Sequence, residues 1–190
     1  MKSLKGYYLL AVPELLDSNF RHAVLLLVQH DANGALGLIL NQPIKTNIAE
    51  AWEQISSLPC NATGPLHIGG PCEGPMIVLH RQSEFGQLEV LPAANPDSDG
   101  VYFTTDADQI THLISQGQPP LKCFVGYAGW TAGQLEEELE NAGWIVGPAS
   151  VEGIFETRPD AWPRLLRQFS DALRYPDVTP ATLPTDPSAN

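Results

Sequence analysis

Residues 22–43 constrain the fold more than any other part of the chain. They read HAVLLLVQHDANGALGLILNQP, in which two aliphatic runs with little polar alternation flank an Asp-Ala-Asn-Gly turn sequence. Asn-Gly supplies the positive-φ residues that a tight hairpin turn needs. Aliphatic runs without alternation are typical of strands that are covered on both faces. The segment therefore predicts a β-hairpin over residues 24–40 that other elements must cover on two sides.

Helix and strand signals alternate along the rest of the chain. Asn47 followed by Glu50 is a capping-box pattern that predicts the start of an amphipathic helix, and Asp106 with Gly117 predicts the two ends of another. The apolar side of the first helix is formed by Ile48, Ala51, Trp52 and Ile55. Further strands are predicted within residues 6–12, 64–80, 88–92, 101–105 and 121–130, and a last helix over about 160–173. We therefore expect an α/β (α+β) fold, with a mixed, partly antiparallel sheet and helices packed against it.

The length of the chain limits the number of domains. Its 190 residues and 20.6 kDa fit one domain, or one domain with a small subdomain. We expect a single domain over residues 1–174, in which about 46–120 is the segment open to an inserted subdomain. Residues 175–190 repeat proline among small polar residues, and we expect a flexible tail there.

The charge balance excludes several classes of partner. The formal net charge is −12, from 10 Lys and Arg residues against 22 Asp and Glu residues. Because nucleic-acid binding depends on basic side chains that neutralise phosphates, direct DNA or RNA binding is not expected, and an anionic membrane surface is disfavoured for the same reason. No apolar stretch approaches the length of a membrane span, and the short N-terminal apolar run, broken by Pro13, predicts a strand rather than a secretion signal. We therefore expect a cytoplasmic location.

The cysteines and histidines follow no metal or disulfide pattern. Cys60, Cys72 and Cys123 form no C-x-x-C pair, the five histidines show no H-x-x-x-H spacing, and no G-x-S-x-G sequence marks a serine hydrolase. We expect no metal and no cofactor. A nucleophilic pair of Cys72 with His67 or His80 has no supporting spacing, and a buried apolar cysteine is the commoner role.

Residues 126–144, GYAGWTAGQLEEELENAGW, place several glycines at the entrance of a glutamate-rich helix. Thr131 with Gln134 is another capping-box pattern, so we expect the helix to begin there. Three of the glycines are expected at a strand end, in a turn and in the first helical turn: Gly126, Gly129 and Gly133. The order strand, glycines, helix also invites a phosphate-binding interpretation. The glutamates at 136–138 and the missing G-K-[ST] lysine argue against it.

Several separated motifs resemble those of a bacterial protein family. GALGLILNQP, IGGP, VLH and GYAGWTAGQLEEEL…W occur in that order between about Gly6 and Trp144 and match the signatures of the YqgE/AlgH family. The resemblance implies an α/β fold with a mixed sheet and a smaller α/β subdomain. It implies no reaction, because the family as a whole is uncharacterised, and one member's name attached a transcriptional-regulator label to it. The chain departs from the family at Gln42, where arginine is usual, and at Cys72, where valine is common.

Polar and glycine residues at the predicted strand ends form the candidate site. Ligands favour strand ends in open sheets, so we expect these residues to converge on one small cleft. His30 and His80 are the candidates for acid–base chemistry, because histidine titrates near neutral pH. The candidate ligand-binding residues are Asn41, Gly69, Gly70, Pro71, Gly126, Tyr127, Gly129, Trp130 and Gln134. It stays open whether the histidines instead fix turns, and whether Tyr127, Trp130 and Trp144 belong to the core.

Three functions remain on these grounds. The leading hypothesis is a binding or regulatory protein with a small cleft for a metabolite or another protein. The second is an unassigned enzyme that uses His30 or His80 as its acid–base group, which requires both imidazoles to face one solvent-reachable pocket. The third is a transcriptional regulator that binds DNA directly, which requires a basic face or a helix-turn-helix, and neither is evident.

Overall fold

The predicted hairpin lies at the centre of the first of two sheets. The computed structural model of the protein describes residues 2–93, 100–156, 158 and 160–174. Val24–Asp31 and Gly34–Ile39 pair in antiparallel register across the turn. Every side chain from Val24 to Val28 is buried. The hairpin and its burial on two sides are both confirmed.

The described residues form eleven strands and five α-helices. The strands are β1 Tyr7–Ala11, β2 Val24–Asp31, β3 Gly34–Ile39, β4 Pro43–Asn47, β5 Pro65–Ile68, β6 Ile77–His80, β7 Leu88–Leu91, β8 Val101–Thr104, β9 Lys122–Val125, β10 Ala128–Thr131 and β11 Trp144–Pro148. The helices are α1 Ile48–Ile55, α2 Ala107–Gln116, α3 Gln134–Glu140, α4 Val151–Phe155 and α5 Ala161–Arg174.

These strands build two sheets rather than one. The first is antiparallel throughout, in the order β10-β3-β2-β1-β11. The second, in the order β4-β5-β9-β6-β8-β7, is mixed, because β5 and β9 run parallel while its other pairs are antiparallel. All strands of the second sheet come from residues 43–125, between β3 and β10. The predicted fold class is confirmed, and the single mixed sheet is corrected to two sheets.

The sheets and helices stack in four layers. The two sheets face each other across a core that includes Leu26 and Leu38 from the first sheet and Leu79 and Phe124 from the second, with Phe169 of α5 closing one side. Helix α3 covers the outer face of the first sheet, where its Leu135 joins a second cluster. Helices α1 and α2 cover the outer face of the second sheet. Because both faces of each sheet are covered, the strands contain few polar residues.

The predicted helix ends agree with the observed caps. Asn47 and Glu50 form the complete capping box of α1, with each side chain bonded to the other residue's backbone N–H. Asp106 caps α2, and Gly117 ends it in the left-handed conformation at φ 64°. The predicted last helix is observed as α5. These signals are local in sequence, which is why they could be identified without a fold.

The entrance to α3 differs from the prediction. Gly129 lies inside β10 rather than in a turn. Helix α3 begins at Gln134, and Gly133 is its N-cap residue with φ +78°, a conformation that favours glycine. Thr131 is therefore not the N-cap, although its backbone N–H and hydroxyl both donate to Oε1 of Gln134. The residue pairing was predicted correctly, and the helix start was placed too early.

Two further expectations concern the C-terminal tail and membrane spans. The proline-rich tail predicted at 175–190 lies outside them. No helix within the described ranges is long and apolar enough to cross a bilayer.

Candidate functional site

Several of the candidate residues meet where the chain passes from the second sheet to the first. β9 ends at Val125 and β10 begins at Ala128, so Gly126 and Tyr127 carry the chain between the sheets. Gly126 has φ +70°. Cys72 and Tyr127 exchange two backbone hydrogen bonds, of 2.9 and 3.0 Å. We call residues 69–72 together with 126–127 the sheet crossing.

The glycines of the sheet crossing are required because backbones touch there. A Cβ on Gly69 would lie 2.3 Å from the carbonyl oxygen of Gly126, and one on Gly70 would lie 2.2 Å from the carbonyl carbon of Tyr127. Both separations are far shorter than any van der Waals contact. The two glycines therefore allow the backbones of residues 69–70 and 126–127 to come into contact. Ligand binding by these residues stays a prediction.

The side chain of Tyr127 covers the remaining glycines of this region. A Cβ on Gly74 would lie 3.0 Å from its ring and one on Gly129 would lie 3.2 Å from it. The ring is half-buried, while Pro71 and Gly129 are exposed. Tyr127 thus packs on the outside of the crossing as a partly covered surface residue.

His30 is held on both ring nitrogens. Nδ1 accepts the backbone N–H of Leu4 at 2.9 Å, and Nε2 lies 2.8 Å from Oε1 of Glu136 on α3. The hydrogen bond from His30 also lowers the pKa of the Glu136 carboxyl, after a larger effect of its own backbone N–H. The imidazole therefore ties the N-terminal segment, β2 and α3 together, and its contacts favour the turn-fixing role.

Asn41 fixes the end of the hairpin. Its Oδ1 accepts the backbone N–H of Val24 at 2.9 Å, and its Nδ2 donates to the carbonyl of His22 at the same distance. Both ends of the amide are used inside the chain. None of the side-chain hydrogen bonds of Asn41 or His30 reaches a residue of the sheet crossing.

His80 is buried within the second sheet. Its Nδ1 accepts the backbone N–H of Gln82 at 3.2 Å, and its Nε2 has no hydrogen-bond partner. Burial lowers the pKa of His80 to about 4, so the ring is neutral at pH 7. With a fully covered side chain, His80 does not face solvent.

A second buried histidine is His67, which the sequence offered only as a partner of Cys72. It lies on β5 between the sheets, its ring centroid is 5.6 Å from that of Phe124, and both of its ring nitrogens lack a partner. Burial, and then the charge of Lys122, lowers the pKa of His67 to about 4. Lys122 is itself buried, and its Nζ donates to the carbonyls of Ile154 and Glu156 at 3.1 and 3.0 Å. Only the long-range packing of β5, β9 and α4 reveals this polar group in the core.

Trp130 and Gln134 belong to the packing of α3. The indole N–H of Trp130 donates to Oε2 of Glu138, and Nε2 of Gln134 donates to Oε1 of the same residue. Trp130 is buried and also borders a shallow depression of about 160 Å³ above the hairpin turn. Its place in the second core cluster supports the core interpretation.

The structure contains an apolar groove that the sequence analysis did not predict. It lies between the C-terminal end of α1 and the N-terminal end of α2, and has a volume of about 250 Å³. Its walls include Trp52 and Ile55 from α1 and Ile110 from α2, and Pro75 and Met76 lie at its base. Ile55, expected on the covered side of α1, is 66% exposed. We call this feature the α1–α2 groove.

A row of apolar side chains extends the base of the groove across the second sheet. Ile68 on β5 pairs with Val125 on β9. Met76 comes directly before Ile77, which pairs with Phe124, so Met76 lies across from Val125. Ile68 and Val125 are 41% and 37% exposed. The groove therefore opens onto apolar surface that α1 and α2 leave uncovered.

Metal-binding side chains do not cluster in the described ranges. Within residues 2–93, 100–156, 158 and 160–174, no three His, Cys, Asp or Glu side chains lie close enough together to hold one ion. All three cysteines are free thiols.

A family model described as AlgH-like matches residues 8–174 of this chain. The chain belongs to the AlgH-like family. The match spans both sheets and all five helices, so the resemblance inferred from the separated motifs is confirmed.

Relatives and solved structures agree with the AlgH-like family. A UPF0301 protein of Chlorobaculum tepidum is 36% identical over 90% of this chain and 89% of its own length. One of Dechloromonas aromatica is 37% identical over 83% and 85%. The solution structure of AlgH from Pseudomonas aeruginosa is 30% identical, with a TM-score of 0.65 over 98% of each chain. A crystal structure of a Corynebacterium diphtheriae protein, 23% identical, shares the fold with a TM-score of 0.64 over 88% of each chain.

The two departures from the AlgH-like motifs have modest local contacts. Nε2 of Gln42 donates to the carbonyl of Asn19 at 3.2 Å and so links the end of the hairpin to the loop after β1. Cys72 is half-buried, and its backbone rather than its thiol makes the contact with Tyr127. In this AlgH-like chain, Gln42 through its side chain and Cys72 through its backbone therefore form hydrogen bonds to distant parts of the same chain.

Proposed function

We propose that the protein is a cytoplasmic binding protein with a regulatory role, and that it binds another protein through the α1–α2 groove. The observation that carries this proposal is the exposed Ile55 at the mouth of an apolar groove. A large aliphatic side chain that is two-thirds exposed gains free energy when a partner covers it.

The size of the groove favours a protein partner over a metabolite. Pockets that enclose small molecules usually measure about 300–1,000 Å³ and bury most of the ligand. A volume of about 250 Å³ that is open to solvent has room for one or two inserted apolar side chains. Insertion of a few anchoring side chains into such pockets is how most protein interfaces obtain their affinity.

The apolar side chains at the α1–α2 groove adjoin one another, unlike single exposed apolar residues elsewhere on the surface. Leu16 is 97% exposed but stands in a loop, and single exposed side chains of that kind are normal. Ile55 instead adjoins Met76, from which the apolar row continues to Val125 and Ile68. Contiguous apolar surface of this kind is characteristic of interaction sites.

The contacts of the histidines do not favour the enzymatic alternative. That hypothesis requires His30 and His80 to face one solvent-reachable pocket. His30 instead uses both ring nitrogens within the chain, and His80 is fully covered. Neither side chain lines the α1–α2 groove.

Site-specific photo-crosslinking tests the proposal. A photoreactive residue at position 55 is expected to capture a defined protein in cells, and the same residue at position 16 is the matched control. The captured protein is then purified and its affinity measured for the wild-type chain and for Ile55→Asp and Leu16→Asp variants of unchanged melting temperature. We expect Ile55→Asp to weaken binding about tenfold or more and Leu16→Asp to leave it unchanged. Equal affinity of the Ile55→Asp variant would refute the groove as the binding site.

A further inference from the structure

We infer that the segment bound in the α1–α2 groove is a basic amphipathic helix, with lysine or arginine flanking its apolar face. This inference rests on the proposed function of the groove. It adds the chemical class of the partner, which follows from the charges around the groove and from the hydrogen bonding of its walls.

All charged side chains on the two chain segments that carry the groove are acidic. Residues 47–77 and 101–121 contain no lysine and no arginine. Their charged residues are Glu50, Glu53, Glu73, Asp106 and Asp108. With this composition, the groove walls favour a positively charged partner and repel an acidic one.

Three of these carboxylates remain available to a partner. Glu50 and Asp106 are occupied by the caps of α1 and α2. Glu53, Glu73 and Asp108 are exposed. Within the described residues, none of these three side chains forms a salt bridge or a hydrogen bond. Each of the three lies within two residues of a side chain that lines the groove, so the surface beside the groove carries uncompensated negative charge.

The hydrogen bonding of the groove selects a helix over an extended strand. A bound extended peptide needs a free sheet edge to satisfy its backbone. Met76 and Thr105, which line the groove, adjoin β6 and β8, each of which pairs with a strand on both sides, and the groove walls are helices. A helix satisfies its own backbone and can therefore lay apolar side chains into this surface without a sheet edge.

Designed peptides test the charge and the shape together. Two helical peptides of about 18 residues share one apolar leucine face, with the flanks all lysine in one and all glutamate in the other. Their affinities for the full chain are measured at about 50 mM and about 500 mM salt, since salt screens exposed charges. We expect the lysine peptide to bind about tenfold or more tightly than the glutamate peptide at low salt, and the difference to shrink at high salt.

Matched variants locate the binding. Ile55→Asp is expected to weaken the lysine peptide about tenfold. The double variant Glu53→Gln, Glu73→Gln is expected to weaken it about fivefold at low salt, and the control Glu14→Gln, Glu140→Gln, away from the groove, to leave it unchanged.

Two results would overturn the inference. If the glutamate peptide binds as tightly as the lysine peptide and Ile55→Asp weakens both, the groove stands as a binding site but the basic partner is wrong. If the lysine peptide does not bind, or binds equally to the Ile55→Asp variant, the basic helix is likewise wrong, while crosslinking at position 55 decides the proposed function independently.

Discussion

Trp130 and Trp144 donate their indole N–H groups to the same carboxylate oxygen, Oε2 of Glu138, each at 2.9 Å. The two rings meet edge to face, with centroids 6.2 Å apart, and Phe20 packs against both. Glu138 therefore joins β10, α3 and β11 at one point. The glutamate-rich helix and its flanking tryptophans form a structural unit on the outer face of the first sheet.

Removal of the shared acceptor is expected to destabilise the fold. Glu138→Ala leaves two mostly buried indole donors without a partner, so we expect the free energy of unfolding to fall by about 2–3 kcal/mol. Urea unfolding monitored by tryptophan fluorescence measures this change. Glu138→Gln keeps an oxygen acceptor and should lose less, and Glu140→Ala, an exposed neighbour on α3, should lose almost nothing. Equal stability of Glu138→Ala and Glu140→Ala would contradict the shared hydrogen bonds.

Replacement of a glycine in the sheet crossing is expected to destabilise the protein. Gly69→Ala places a methyl group 2.3 Å from the carbonyl oxygen of Gly126, and we expect a loss of about 3 kcal/mol in stability. Gly133→Ala is the matched comparison, because it has open space around its Cβ and only the cost of a positive φ, about 1 kcal/mol. Chemical denaturation of both variants provides the test. A Gly69→Ala protein of wild-type stability would show that the glycine is not needed for packing.

The buried histidines predict a loss of stability in mild acid. His67 has a folded pKa of about 4 against about 6.5 in the unfolded chain, so between these values the unfolded state binds more protons and stability falls as the pH falls. His80 acts in the same direction. Between pH 7.5 and pH 5, we expect the wild type to lose about 2 kcal/mol more than His67→Leu, as measured by urea unfolding at each pH. The control variant His112→Gln, at an exposed position, should follow the wild type. Parallel curves for wild type and His67→Leu would exclude a buried neutral imidazole.

Lys122 predicts a pH dependence of the same sign in mild alkali. Burial lowers its folded pKa to about 8, with partial compensation by Glu156, against about 10.5 when unfolded. Between these values the unfolded chain again binds more protons, so stability rises with pH. Relative to Lys122→Met, the wild type should gain about 2 kcal/mol between pH 7.5 and pH 9.5. The raised pKa of Tyr8 acts in the opposite sense near pH 10, but it is present in both proteins and cancels in the comparison. A constant difference across this range would mean that the lysine is not desolvated.

Local signals in the sequence predicted the local structure. The hairpin, the Asn47 cap and the Asp106 cap each depend on neighbouring residues, and all three are observed, although only Gly34 of the Asn-Gly pair has a positive φ. The sequence did not predict that residues 121–130 contribute one strand to each sheet, because apolar residues stand on both sides of Gly126 and do not mark the change.

The candidate site was harder to predict because its members depend on distant packing. Gly69 and Gly126 do meet, as expected, and the closeness of their backbones depends on a fold that brings residues 57 positions apart together. Ile55 fits the apolar side of α1 by periodicity, and only the position of α2 and Met76 shows that part of this side is left uncovered. A protein-binding surface therefore resembles a core helix face in the sequence, since both use the same residue types.

The two-residue passage from β9 to β10 has a consequence for how the molecule opens. With Gly126 and Tyr127 clamped by residues 69–72, strands of both sheets share one stretch of backbone that neither sheet can release alone. Amide hydrogens in β9 and β10 should therefore exchange with solvent only through one common, global opening, so that the two sheets behave as a single cooperative unit.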